Sequence, residues 1–76
     1  MKQHQKDKEE LSKQVGLRIK EVRAKLNMQQ QTLAAACNFE KSNMARIETG
    51  RVNITLGTLL KIANALDVPL KDLLPD

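Results

Sequence analysis

Aromatic residues are nearly missing from this chain, which has one Phe, Phe39, and neither Trp nor Tyr. Recognition of single-stranded nucleic acid by base stacking relies on exposed aromatic platforms, so that mode is disfavoured. The one cysteine, Cys37, cannot form an internal disulfide, and a lone thiol suits a reducing compartment. His4 is the sole histidine. It has no partner with metal-ligand spacing, and one His and one Cys make no nucleophile–base pair. The three glycines form no phosphate-cradling loop. These absences predict a protein that is not an enzyme, with no cofactor, no metal and no small-molecule ligand. No stretch reaches the roughly 20 apolar residues of a membrane span, and the polar N-terminus has no signal-peptide apolar middle. The expectation is a cytoplasmic location away from any membrane.

What is present begins with charge. The net charge is +4 over 76 residues, and it is unevenly placed. Residues 12–51 carry eight basic side chains against three acidic ones. The first eleven residues balance, and residues 52–76 are slightly acidic. A basic region in the middle of the chain favours a polyanionic partner.

Size allows one domain, with residues 1–10 as a polar arm and 11–76 as the folded unit. Leu11, Val15, Ile19, Val22 and Leu26 lie on one helical stripe, which predicts helix 1 over 11–26. Gln30 to Cys37, rich in Gln and Ala, predicts helix 2, and Asn38 suits the left-handed position after it. Helix 3 is predicted over 41–49, with Met44 and Ile47 inward and Gly50 as its stop. Thr55 is a good N-cap for helix 4, whose Leu59, Ile62, Ala63 and Leu66 repeat at i, i+3, i+4 and i+7. Pro69 suits the first turn of a short helix 5 holding Leu70, Leu73 and Leu74. No strand-like alternation and no internal repeat occurs.

Helices 2 and 3 are joined by Asn38 to Glu40 only. So short a link forces a steep crossing, the helix-turn-helix geometry, in which the second helix offers its outer face to solvent. That face carries Lys41, Ser42, Asn43 and Arg46, donors and acceptors with the reach to read base edges in the roughly 12 Å major groove of DNA.

At this point the chain resembles a known family. Gln29-Gln30-Gln31-Thr32-Leu33-Ala34, then Asn38-Phe39, then Met44 through Gly50, looks like the Cro and lambda-repressor (XRE-like) helix-turn-helix family. Asn53 through Leu66 matches its fourth helix. The resemblance implies an all-α, five-helix DNA-binding fold that regulates transcription, commonly as a homodimer on a palindromic operator. Carried over by position, Lys41, Ser42 and Arg46 match base-reading residues. Gln30 matches a residue that braces the DNA backbone and helix 3. Asn43, beside the base readers, is expected to touch phosphate, Arg51 matches a frequent phosphate contact, and Arg23 with Glu48 matches an internal salt bridge.

Three places depart from the family pattern. Gln29 and Thr32 stand where a capping box is usual. Asn38 replaces the common glycine. Glu40 stands where Ser, Thr or Asp usually caps helix 3; glutamate suits a helix N-terminus but is repelled by phosphates. The surplus of apolar residues at Leu70, Leu73 and Leu74 predicts a homodimer contact. A protein-interaction module, such as an antitoxin or adaptor of this fold, is the competing class. The chain stops soon after helix 5, so a stand-alone reader of double-stranded DNA is expected. Its size and its fourth-helix pattern also resemble restriction-modification controller proteins.

Overall fold

The computed structural model describes residues 7–75. Four α-helices follow one another, α1 (Lys8–Lys25), α2 (Gln30–Ala36), α3 (Lys41–Glu48) and α4 (Leu56–Leu66), and then a 3-10 turn, Leu70–Leu73. Among the described residues there is no strand. None of these helices is long and apolar enough to cross a membrane.

One device ends every helix. A left-handed residue stands at the first or second position beyond each: Asn27 (φ 56°), Asn38 (φ 60°), Gly50 (φ 77°) and Asp67 (φ 58°). Its N–H and the next one then fold back onto carbonyls of the last turn. Asn38 donates to Ala35 at 3.0 Å and Phe39 to Ala34 at 2.8 Å; Gly50 donates to Ile47 at 3.1 Å and Arg51 to Arg46 at 2.9 Å. Asn and Asp tolerate this conformation because a short polar side chain can bond locally. Each such residue turns the chain sharply out of its helix, and the short helices pack on one another.

The helix starts differ among themselves. Asp7 accepts a bond from the Glu10 N–H at 2.8 Å, and Thr55 accepts one from the Thr58 N–H at 3.1 Å. The Asp7 cap starts α1 at Lys8, about one turn earlier than the apolar stripe predicts, so Lys8 to Glu10 belong to the helix and not to an arm. His4 and the rest of the arm, residues 1–6, lie outside the described residues. At their other ends α2 and α3 stop one residue short of the expected Cys37 and Thr49. The expected fifth α-helix is the 3-10 turn. Only five residues separate Pro69 from Pro75, too few for a ladder of i to i+4 bonds.

Ile19, Leu33, Met44, Ile62 and Leu73 are fully buried, each from a different element, and Cys37 joins them. Phe39 packs half-buried against this core. The predicted stripe of α1 is buried only at its centre, Val15 and Ile19; Leu11 and Leu26 at its ends are exposed. Leu73 corrects an expectation, because it is 0% exposed and sits in the core. It cannot serve a contact between subunits. The 3-10 turn folds back to supply it, and Arg18 clamps that turn by donating from Nε (3.1 Å) and Nη2 (2.8 Å) to the Asp72 carbonyl.

Gly16 decides how α3 meets α1. A Cβ there would lie 2.5 Å from the Ile47 carbonyl oxygen and 2.7 Å from that of Glu48. Glycine costs about 1 kcal/mol in a helix interior, and here its missing side chain admits the last turn of α3 against the α1 backbone. Gly50 closes the same contact from the other side, since a Cβ on it would lie 2.6 Å from the Lys13 Cα.

Candidate nucleic-acid interface

The short link Cys37–Glu40 delivers α3 with two unlike faces. Met44, Ile47 and Glu48 are buried. Lys41, Ser42 and Arg46 are exposed, and Asn43 is half-buried. Asn43 lines a shallow cleft shared with Phe39, Ile47, Val52 and Thr58, so it stands at the edge of the outer face and not at its middle. Arg51, one residue past the glycine, is exposed. The residues expected to read bases therefore project together from one short rod, with Arg51 at its far end.

The buried face of α3 carries a polar network that holds its angle. Glu48 is 6% exposed. Arg23 Nε donates to its Oε2 at 2.7 Å and Arg23 Nη2 to its Oε1 at 3.1 Å, a fork-on-carboxylate pair. The third arginine nitrogen donates to the Met28 carbonyl at 2.8 Å, and Gln30 Nε2 donates to Glu48 Oε1 at 2.9 Å. One carboxylate thus ties α1, the α1–α2 turn, α2 and α3 together. Gln30 is half-buried, and its amide is engaged with α3. Among the described residues no buried side-chain nitrogen or oxygen is left without a partner.

The same pairing shapes the charge. Among the described residues the ion pairs are Arg23–Glu48 and Arg18–Glu21. Two of the three carboxylates in residues 12–51 are consumed by arginines of α1. Lys41, Arg46 and Arg51 keep their charge toward solvent, with Glu40 the remaining acid nearby. Neither Gln29 nor Glu40 caps its helix with a side-chain bond, so the first N–H groups of α2 and α3 have no side-chain acceptor there. Such groups favour an anion.

Several details left no mark in the hydrophobic pattern. The Arg18 clamp on Asp72 is one. Another is Lys61, whose Nζ lies 5.3 Å from the centre of the Phe39 ring and whose carbonyl accepts from Cys37 Sγ at 3.9 Å. Gly16 did leave a signal, since a glycine inside an amphipathic helix calls for a packing reason. Burial pushes the Cys37 thiol above its ordinary 9.0, with Lys61 pulling it part of the way back.

Apolar side chains remain exposed elsewhere. Leu11, Ile54, Leu56 and Leu74, above the buried Val15 and Leu59, line an open cleft of about 210 Å3 rimmed by Lys8, Ser12 and Asn53. Leu56 is 76% exposed, and Leu60, one turn on, is 49% exposed. Leu70 is half-buried against the core.

A helix-turn-helix family model matches residues 19–73. The control protein C.BamHI of Bacillus amyloliquefaciens is 38% identical over 60 residues, which is 78% of this chain and 74% of that protein. An uncharacterised HTH-type transcriptional regulator of Archaeoglobus fulgidus is 36% identical over 56 residues, 74% of this chain and 79% of that one. Among solved structures, the restriction-modification controller protein C.AhdI of Aeromonas hydrophila superposes with a TM-score of 0.77 at 34% identity, over 84% of this chain and 96% of that one.

Proposed function

Because this chain belongs to the helix-turn-helix family, we propose that it is a sequence-specific double-stranded DNA-binding transcriptional regulator, with α3 in the major groove. One observation carries this reading. Lys41, Ser42 and Arg46 are all exposed on a helix whose opposite face is anchored through Met44, Ile47 and Glu48. A rigid rod with three hydrogen-bonding side chains on its free face is what base-edge readout requires. Lys41 and Arg46 read bases with Ser42 beside them. Arg51 and Asn43 meet phosphates. Gln30 braces α3 through Glu48 and flanks the DNA backbone. The protein acts by binding, not catalysis, and works in the cytoplasm.

A single domain of this size covers little DNA, and symmetric pairs on half-sites about one helical turn apart are the usual solution. Two copies pair through the apolar cleft and the exposed leucines of α4, Leu56 and Leu60, with Leu11 and Leu74 at the margin. This replaces the contact expected from Leu70, Leu73 and Leu74, of which only Leu74 is exposed. The two controller proteins among the relatives support a controller-type role for this chain. Selection of bound duplexes from a random library, with affinity measured across salt, tests the reading. Two related half-sites with a fixed spacing and a steep salt dependence are expected. No duplex enriched over bulk DNA at moderate salt would overturn it.

A further inference from the structure

Glu40 is an acid on a face otherwise suited to a polyanion. It precedes α3 in an extended conformation (φ −70°, ψ 149°), and its carbonyl accepts the Met44 N–H at 3.1 Å. Its side chain does none of the work expected at that position. It makes no capping bond, it is exposed, and among the described residues it has no ion pair. Its length explains the missing cap, since the favoured cap residues have shorter side chains that fold back onto the N2 or N3 amide. Lys41 follows directly in sequence, yet no ion pair joins the two. The carboxylate is therefore a free acceptor at the N-terminal end of the helix, the end that contacts base edges in helix-turn-helix docking.

An ionised carboxylate only accepts hydrogen bonds. Phosphates repel it, and in the major groove only cytosine N4 and adenine N6 offer donors. Adenine sets its N7 acceptor beside N6, opposing the second carboxylate oxygen, whereas cytosine has no acceptor beside its amine on that edge. Resting on the assignment of α3 as the reading helix, we infer that Glu40 is a specificity-determining residue that selects a cytosine in each half-site by accepting from its N4 amine. Its negative charge also weakens binding to bulk DNA, so it widens the gap between specific and non-specific sites from both directions.

The test compares wild type, Glu40→Ala and Glu40→Gln by selection from random duplexes, followed by affinity measurements on the selected site and on single-base variants of it. Wild type is expected to demand cytosine at one position per half-site, with about a tenfold or larger loss for any other base. Glu40→Ala loses that preference alone and binds bulk DNA more tightly. Glu40→Gln moves the preference to adenine, which glutamine engages through N6 and N7. Unchanged helicity by circular dichroism checks that the exposed side chain was removed without unfolding. A wild-type site that Glu40→Ala selects identically sinks this inference and leaves the regulator reading intact. Loss of preference at every position at once would mean a positioning role and would also sink it. Failure of wild type to select any site removes the regulator reading itself, and this inference with it.

Discussion

Replacing Arg23 by alanine isolates what holds the reading helix in place. Glu48 would keep its carboxylate with a side chain only 2% exposed, and Gln30 Nε2 at 2.9 Å would be its one remaining side-chain donor. The Met28 carbonyl would lose its 2.8 Å donor as well. Removing one member of a buried ion pair costs about 3–5 kcal/mol, because the partner stays desolvated and uncompensated. The lower half of that range fits best, since Arg23 is itself 14% exposed and water can partly replace it. Small domains hold about 5–15 kcal/mol in total, and urea slopes are at least about 1 kcal/mol per molar. A loss of about 3–4 kcal/mol divided by a slope of about 1–3 kcal/mol per molar lowers the unfolding midpoint, followed by circular dichroism, by about 1–4 M. Arg23→Lys keeps the charge without the planar fork and should lose less. The double variant R23M/E48L, which removes both charges and keeps apolar bulk, should recover most of the loss. The reasoning fails if Arg23→Ala costs under about 1 kcal/mol, or if the double variant is no more stable than the single one.

Arg46→Ala and Lys41→Ala should blur sequence preference by about 1–3 kcal/mol per lost contact, while Arg51→Ala should weaken all duplexes alike and lower the salt slope by about one, both read by titration across salt. Gly16→Ala should destabilise the domain by about 1–3 kcal/mol in a thermal melt despite alanine's better helix propensity, because its methyl meets α3 backbone carbonyls. Leu60→Glu should shift sedimentation at micromolar concentration toward monomer and weaken binding to paired half-sites. The Cys37 thiol, raised by burial above 9.0, ionises more easily in the unfolded chain. Its contribution is thus complete below about pH 9 and declines as the pH rises through the folded value. The stability difference between wild type and Cys37→Ala, measured by urea unfolding, should narrow over that range.

The helices were legible because their signals are local. Leu59, Ile62, Ala63 and Leu66 mark α4, and the stops at Asn38 and Gly50 depend on a backbone conformation that few residue types accept. The helix-turn-helix was legible for the same reason, as three residues between two short helices leave few geometries. Leu73 was grouped with an intersubunit contact because Leu70, Leu73 and Leu74 look alike in sequence. Only the fold shows that Leu73 fills the core beside Ile19 and Ile62 while Leu56 is left outside. The early start of α1 was missed because polar Lys8 to Glu10 carry no periodicity, and their helicity comes from the Asp7 cap.

The order of amino acids alone set where the four α-helices lie to within about one turn, the stops between them, the location of the positive charge and the family to which the chain belongs. Each of these follows from interactions within a few residues along the backbone, or from simple counting. Three-dimensional packing decided the rest: which leucines are hidden, that Gly16 admits the carbonyls of α3, that Arg23 and Gln30 converge on Glu48, and that the Glu40 side chain is left without a capping bond or ion pair. Those outcomes depend on atoms up to 54 positions apart, as in the Arg18–Asp72 clamp, and no local pattern encodes a distance between residues that meet only after the helices have packed.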